Sequence, residues 1–114
     1  MRKKTTKGRC EKRTLEKCIG VCKTYSPIQK VYAVYIEEND HVKEFRTNVL
    51  LDGEASGYTT DFVIETSDGR LMIRECISKS MLIRVTHCEL LEISRKYWLS
   101  KGVTDWGIVI DGDK

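Results

Sequence analysis

Three observations predict an α/β fold: a mixed β-sheet, an antiparallel meander plus a parallel strand, flanked by helices. Apolar residues recur at period two over 42–51, 58–66 and 70–77, the spacing of half-buried strands. Ser67-Asp68-Gly69 separates the second and third runs, and Asp-Gly supplies the positive φ angles of a hairpin turn. A fourth, nearly all-apolar run at 106–110 follows a long helical stretch. A helix between two strands of one sheet implies a parallel pair.

The elements follow in order. Residues 1–8 read as a basic, disordered arm and 9–114 as one domain. Over 9–24, Leu15, Cys18, Ile19 and Cys22 fall at i, i+3, i+4 and i+7, which predicts a helix. A second helix is predicted to begin at Ser26-Pro27-Ile28-Gln29 and to reach about Glu38. There serine is an N-cap, proline suits the first helical position, and glutamine at the third closes a capping box. Its expected core stripe is Ile28, Val31, Tyr32, Tyr35 and Ile36. Asp52-Gly53 opens a turn-rich loop between the first two long strands. Residues 80–101 read as one long helix closed by Gly102.

A chain of 114 residues with 40% hydrophobic and 32% charged residues fits a single packed domain and excludes global disorder. No window approaches the ~20 apolar residues of a membrane span. The basic N-terminus lacks the apolar run of a secretory signal. Five cysteines at 10, 18, 22, 76 and 88 form no Cys-x-x-Cys pair. They are expected to be reduced in a cytoplasmic protein, with Cys18, Cys22, His87 and Cys88 a weak thiolate–imidazole alternative. Charge is unevenly placed: residues 1–17 carry eight basic side chains against Glu11 and Glu16. Arg2, Lys3, Lys4, Lys7, Arg9, Lys12 and Arg13 are therefore the candidate contacts to an anionic partner, with nucleic acid first in line and solvation of a frayed terminus the alternative.

No glycine-rich phosphate loop and no nucleophile–base constellation stands out. The hairpin carries the chemistry that is visible. Asp61 lies on one strand and Glu75, fourteen residues on, lies on its partner. Two carboxylates on adjacent strands suit a hard cation such as Mg²⁺. A metal held there generates hydroxide and stabilises a phosphodiester transition state. The competing reading is two exposed carboxylates on an ordinary antiparallel pair.

The string Tyr58-Thr59-Thr60-Asp61-Phe62-Val63, then Asp68-Gly69-Arg70, then Ile73-Arg74-Glu75-Cys76-Ile77 resembles the core of the PD-(D/E)XK nuclease superfamily. It is most similar to the N-terminal catalytic domain of TnsA-type transposon endonucleases, and the likeness covers residues 26–110. The resemblance implies a restriction-endonuclease-like sheet, Mg²⁺ on Asp61 and Glu75, DNA as partner, and a protein partner from a transposition or host-defence complex. It also marks departures. Gln29 stands where the family has a helix glutamate, and Thr60 replaces a proline. Ile77 stands where the family has a lysine, so Lys79, two residues further on, becomes the candidate to position the attacking water. Two functions stay open. One is a DNA-binding endonuclease of a mobile element, with catalytic residues Asp61, Glu75, Lys79 and Gln29. The other is a catalytically inactive module of the same fold that binds nucleic acid or inhibits or bridges a protein.

Overall fold

The computed structural model describes residues 10–111. Four strands form one sheet, side by side in chain order: β3 (Val42–Leu50), β4 (Thr59–Thr66), β5 (Leu71–Cys76) and β6 (Asp105–Val109). The first two pairs are antiparallel and β5 pairs with β6 in parallel, as Met72↔Asp105 through Cys76↔Val109. The meander and its parallel fourth strand are thus where the period-two runs put them. At the β4–β5 turn Gly69 takes φ 87, but Asp68 does not share the positive φ expected of it.

Alternation divides the β4 side chains between two cores. Phe62 and Ile64 face α1 (Pro27–Glu37), where they pack with Phe45, Ala33 and Ile36. Val63 faces the opposite side, against Ile73, Trp98 and Tyr58. That second core is closed by α3 (Val85–Ser100). Burying an aromatic side chain such as Phe62 contributes about 2–3 kcal/mol, so the two layers hold the sheet from both faces. The predicted helix over 80–101 is divided: a single turn, α2 (Lys79–Leu82), precedes α3.

Two sequence-based expectations require correction. The first is the helix over residues 9–24, which does not form. These residues hold a two-stranded ribbon, β1 (Glu11–Arg13) against β2 (Cys22–Thr24), while residues 1–9 of the expected arm lie outside the described residues. Gly20 explains the change: at φ 77 it turns the chain, and in a helix interior it would cost about 1 kcal/mol relative to alanine. After it, Cys22 and Thr24 are buried and Val21 and Lys23 exposed, which is period two. The ribbon is tied to the body by Glu37, whose carboxylate accepts the backbone N–H groups of Glu16 and Lys17 at 3.1 Å each.

The second correction concerns the face of α1. Its buried residues are Gln29, Ala33 and Ile36, whereas Val31 and Tyr35 are 69% and 59% exposed. The small Ala33 lets the helix approach the sheet, so the inner face is rotated away from the bulkiest side chains. The cap is as expected in kind. Gln29 N donates to Ser26 Oγ at 3.2 Å, and Gln29 Oε1 accepts from Tyr25 N at 2.6 Å, one residue before the cap. Replacing Ser26 with alanine should cost about 1 kcal/mol of stability in urea unfolding, with no change in spectroscopic signature.

Cys18 and Cys22 are buried in the α1-side core, and Cys10 and Cys88 are exposed. Burial first, and the neighbouring Cys22 second, push the Cys18 thiol from 9.0 up to about 12. Burial also raises Cys22. Above pH 9 the unfolded chain therefore releases a proton that the folded chain retains, and stability falls as pH rises towards about 12. Unfolding midpoints at about pH 8 and about pH 10.5 should show this fall, and it should be smaller in Cys18→Ala.

Candidate functional site

The two motif carboxyls sit where the sheet is irregular. In the β3–β4 ladder Thr47 pairs with Phe62 and Val49 with Thr60, which leaves Asp61 opposite Asn48. Asn48 takes φ 54, a left-handed conformation that asparagine tolerates better than most residues. Its Nδ2 donates to Lys23 O at 2.7 Å, joining this bend to the ribbon. On the other side, the β4–β5 ladder runs from Glu65↔Leu71 to Phe62↔Arg74. Beyond that pair, side chains bond to backbone across the two strands.

Asp61 N donates to Glu75 Oε1 at 3.0 Å, and Cys76 N donates to Asp61 Oδ2 at 2.7 Å. Each carboxyl thus binds the backbone of the opposite strand. Glu75 is fully buried and its second oxygen is also engaged: Ser94 Oγ donates to Glu75 Oε2 at 2.6 Å. Ser94, itself buried on α3, accepts from Trp106 Nε1 of β6 at 3.0 Å. A second indole–hydroxyl bond lies beside it, Trp98 Nε1 to Thr60 Oγ1 at 3.0 Å. Thr60, at the place of the family's proline, thus contacts α3. The result is a relay from β6 through α3 and β5 to β4. Buried polar groups joined this way specify one arrangement of the elements around them.

Asp61 and Glu75 therefore come together, on adjacent strands as the sequence suggested, but both are buried. Ile77 is also buried. Gln29 belongs to α1, and its side-chain oxygen is engaged at the helix cap. Lys79 does not extend the strand. β5 ends at Cys76, and Lys79 opens α2, exposed, with its backbone N–H donating to Asp111 Oδ1 at 2.9 Å. Among the described residues, no group of three or more His, Cys, Asp or Glu side chains is arranged to hold a metal ion. Cys18 and Cys22 lie in the α1-side core. Cys88, on α3, donates to Leu82 O at 3.0 Å.

Of the basic candidates, Arg2, Lys3, Lys4, Lys7 and Arg9 lie outside the described residues, and Lys12 and Arg13 fall on β1. The register of the ribbon adds a residue that charge counting along the sequence does not single out: Lys12 stands directly opposite Lys23. Both are exposed. Like charges at opposed positions of an antiparallel pair are destabilising. Thr47 Oγ1 accepts from Lys23 N at 3.3 Å, and next to Thr47 on β3 the exposed Arg46 extends the basic set. Among the described residues, the ion pairs leave Lys12, Arg13, Lys23 and Arg46 without a carboxylate; Lys30 and Lys43 are paired with Glu11 and Glu65. No helix among the described residues is long and apolar enough to cross a membrane.

Compared with known proteins, no family model and no curated sequence matches this chain.

Proposed function

We propose that this chain is a nucleic-acid-binding module on a nuclease-like scaffold, gripping phosphates with its β1–β2 ribbon and using Asp61 and Glu75 as internal struts. The observation that carries this reading is the opposed, exposed pair Lys12 and Lys23. A protein that sets two ammonium groups against each other without a carboxylate between them gains stability when an anion bridges them. Phosphate backbone is the abundant polyanion of matching form, and a two-stranded ribbon fits a groove of duplex DNA. Residues 1–9 continue the same basic run in sequence.

Mg²⁺ demands near-octahedral oxygen coordination and keeps several waters. The carboxyls fit this poorly. Both Glu75 oxygens and Asp61 Oδ2 already accept hydrogen bonds, and Ile77 occupies the position of the family's lysine. No chemistry is therefore routed through a metal.

The test is fluorescence anisotropy of a labelled DNA duplex titrated with the full chain across a salt series. Binding should weaken with salt at a slope of about −0.9 per phosphate neutralised, giving about −3 or steeper for the four ribbon and β3 cations. Removal of divalent ions with EDTA should leave affinity and thermal midpoint unchanged. Cleavage of the duplex on addition of Mg²⁺ or Mn²⁺, lost in Asp61→Ala, would overturn the strut assignment. Salt-independent binding, or none, would overturn the module itself.

A further inference from the structure

The rotation of α1 that exposes Val31 and Tyr35 has a counterpart on the sheet. A groove of about 840 Å³ runs between α1 and the outer strands, walled by Val31 and Tyr35 on one side and by Ile108 and Ile110 on the other, with Met72 and Arg74 in its floor. Four strands at ~4.8 Å spacing make a sheet some 19 Å wide, and one helix covers about 10 Å of it. On the face that α1 occupies, half the sheet therefore lies outside its cover. The bare strip is apolar. Val31 is 69%, Tyr35 59%, Ile108 38% and Ile110 42% exposed. The floor can be dried without stranding a charge: Arg74 Nη2 bonds Asp105 Oδ1 at 2.8 Å, and its Nη1 bonds the carbonyls of Ile73 and Asp105. Gly107 makes room for that guanidinium, because a Cβ there would stand 3.4 Å from it.

The chain's own ends do not supply a cover. Residues 1–9 contain one apolar side chain, Met1, and residues 112–114 are Gly-Asp-Lys. The face itself does. Val31 and Tyr35, one helical turn apart, form a ridge, and the trough lies beside them on the same surface. A ridge and a trough on one patch are what a twofold axis requires, since rotation sets each ridge into the other copy's trough. We propose that a second copy of this chain docks here, the Val31–Tyr35 ridge of each protomer seated against Ile108 and Ile110 of the other. The four exposed apolar side chains offer roughly 400 Å², about half of the ~800 Å² per partner of a standard interface, and the remaining walls of the groove supply the rest. The dimer would also present two basic ribbons to one polyanion.

Sedimentation equilibrium of the full chain over about 10–200 µM tests this. A species of twice 13.2 kDa is expected. Val31→Glu on the ridge and Ile110→Glu on the opposite wall should each weaken association at least tenfold. Both side chains are exposed, and unchanged circular dichroism would show that each variant folds. In a Cys10→Ser/Cys88→Ser background, an equimolar mixture of Val31→Cys and Ile110→Cys should form a disulfide between copies on addition of oxidised glutathione, releasing two equivalents of the reduced thiol per bond. A monomer across the whole range, which is also what a groove meant for a different protein would give, overturns the proposal. So does a dimer that neither glutamate variant weakens.

Discussion

Glu75→Ala is expected to lose roughly 3–5 kcal/mol of folding stability, whereas Glu75→Gln should stay within about 1 kcal/mol of wild type. Glu75 is fully buried and accepts from Asp61 N and from Ser94 Oγ. Alanine removes both acceptors and leaves two buried donors with nothing to bond, at about 1–3 kcal/mol each. It also opens a cavity among packed side chains, which adds to the loss. Glutamine keeps an oxygen for Asp61 N, and its amide can donate to Ser94 Oγ if that hydroxyl turns. The sign of the alanine effect separates the two readings of the carboxyls. In a metal site without its metal, two apposed carboxylates repel, and deleting one stabilises the protein. In a strut, deletion destabilises. Urea unfolding followed by tryptophan fluorescence measures the difference, and Trp106, which donates to Ser94, reports on the same relay. A gain in stability for Glu75→Ala would defeat the strut assignment.

The same carboxyls show how much of the molecule is legible in its sequence. The sheet was legible because its signal is local: alternation in β3, β4 and β5 and the Asp-Gly turn need nothing from elsewhere in the chain. Asp61 and Glu75 were legible as neighbours for the same reason, since a hairpin turn fixes which residues of its strands stand side by side. Their surroundings were not. Ser94 lies nineteen residues beyond Glu75 and on another element, so its bond to Glu75 exists only in the folded chain. The left-handed Asn48, which stands opposite Asp61, is a backbone event that residue type merely permits. On α1 the cap was read correctly from Ser26 and Gln29, yet the inner face was misplaced. Ranking residues by apolarity favours Val31 and Tyr35, but close packing favours the small Ala33. The ribbon was missed because Cys18 and Cys22 fit a helical period, and Gly20 between them was given too little weight against it.

Lys12→Ala/Lys23→Ala should make the free protein slightly more stable and its complex with DNA much weaker. The two ammonium groups are cross-strand partners on a ribbon of three residues per strand, and among the described residues no carboxylate pairs with either. Opposed like charges on a sheet cost about 0.2–1 kcal/mol, so their removal should raise the unfolding midpoint by that small amount at low salt, and by less as salt screens the pair. On DNA the same two groups each neutralise a phosphate. Losing both should flatten the salt slope of log K by about 1.8 and lower affinity most where salt is lowest. Extending the change to Arg13 and Arg46 should flatten the slope by a further ~1.8, with an affinity loss on the order of a hundredfold or more at low salt. Charge-conserving Lys12→Arg/Lys23→Arg is the control, because it keeps the repulsion and the phosphate contacts together. A general loss of structure would lower stability and binding in parallel. A functional charge pair moves them in opposite directions, and anisotropy together with urea unfolding on the same three variants reads both signs. If the double alanine variant binds DNA with the wild-type salt slope, the ribbon is not the contact surface.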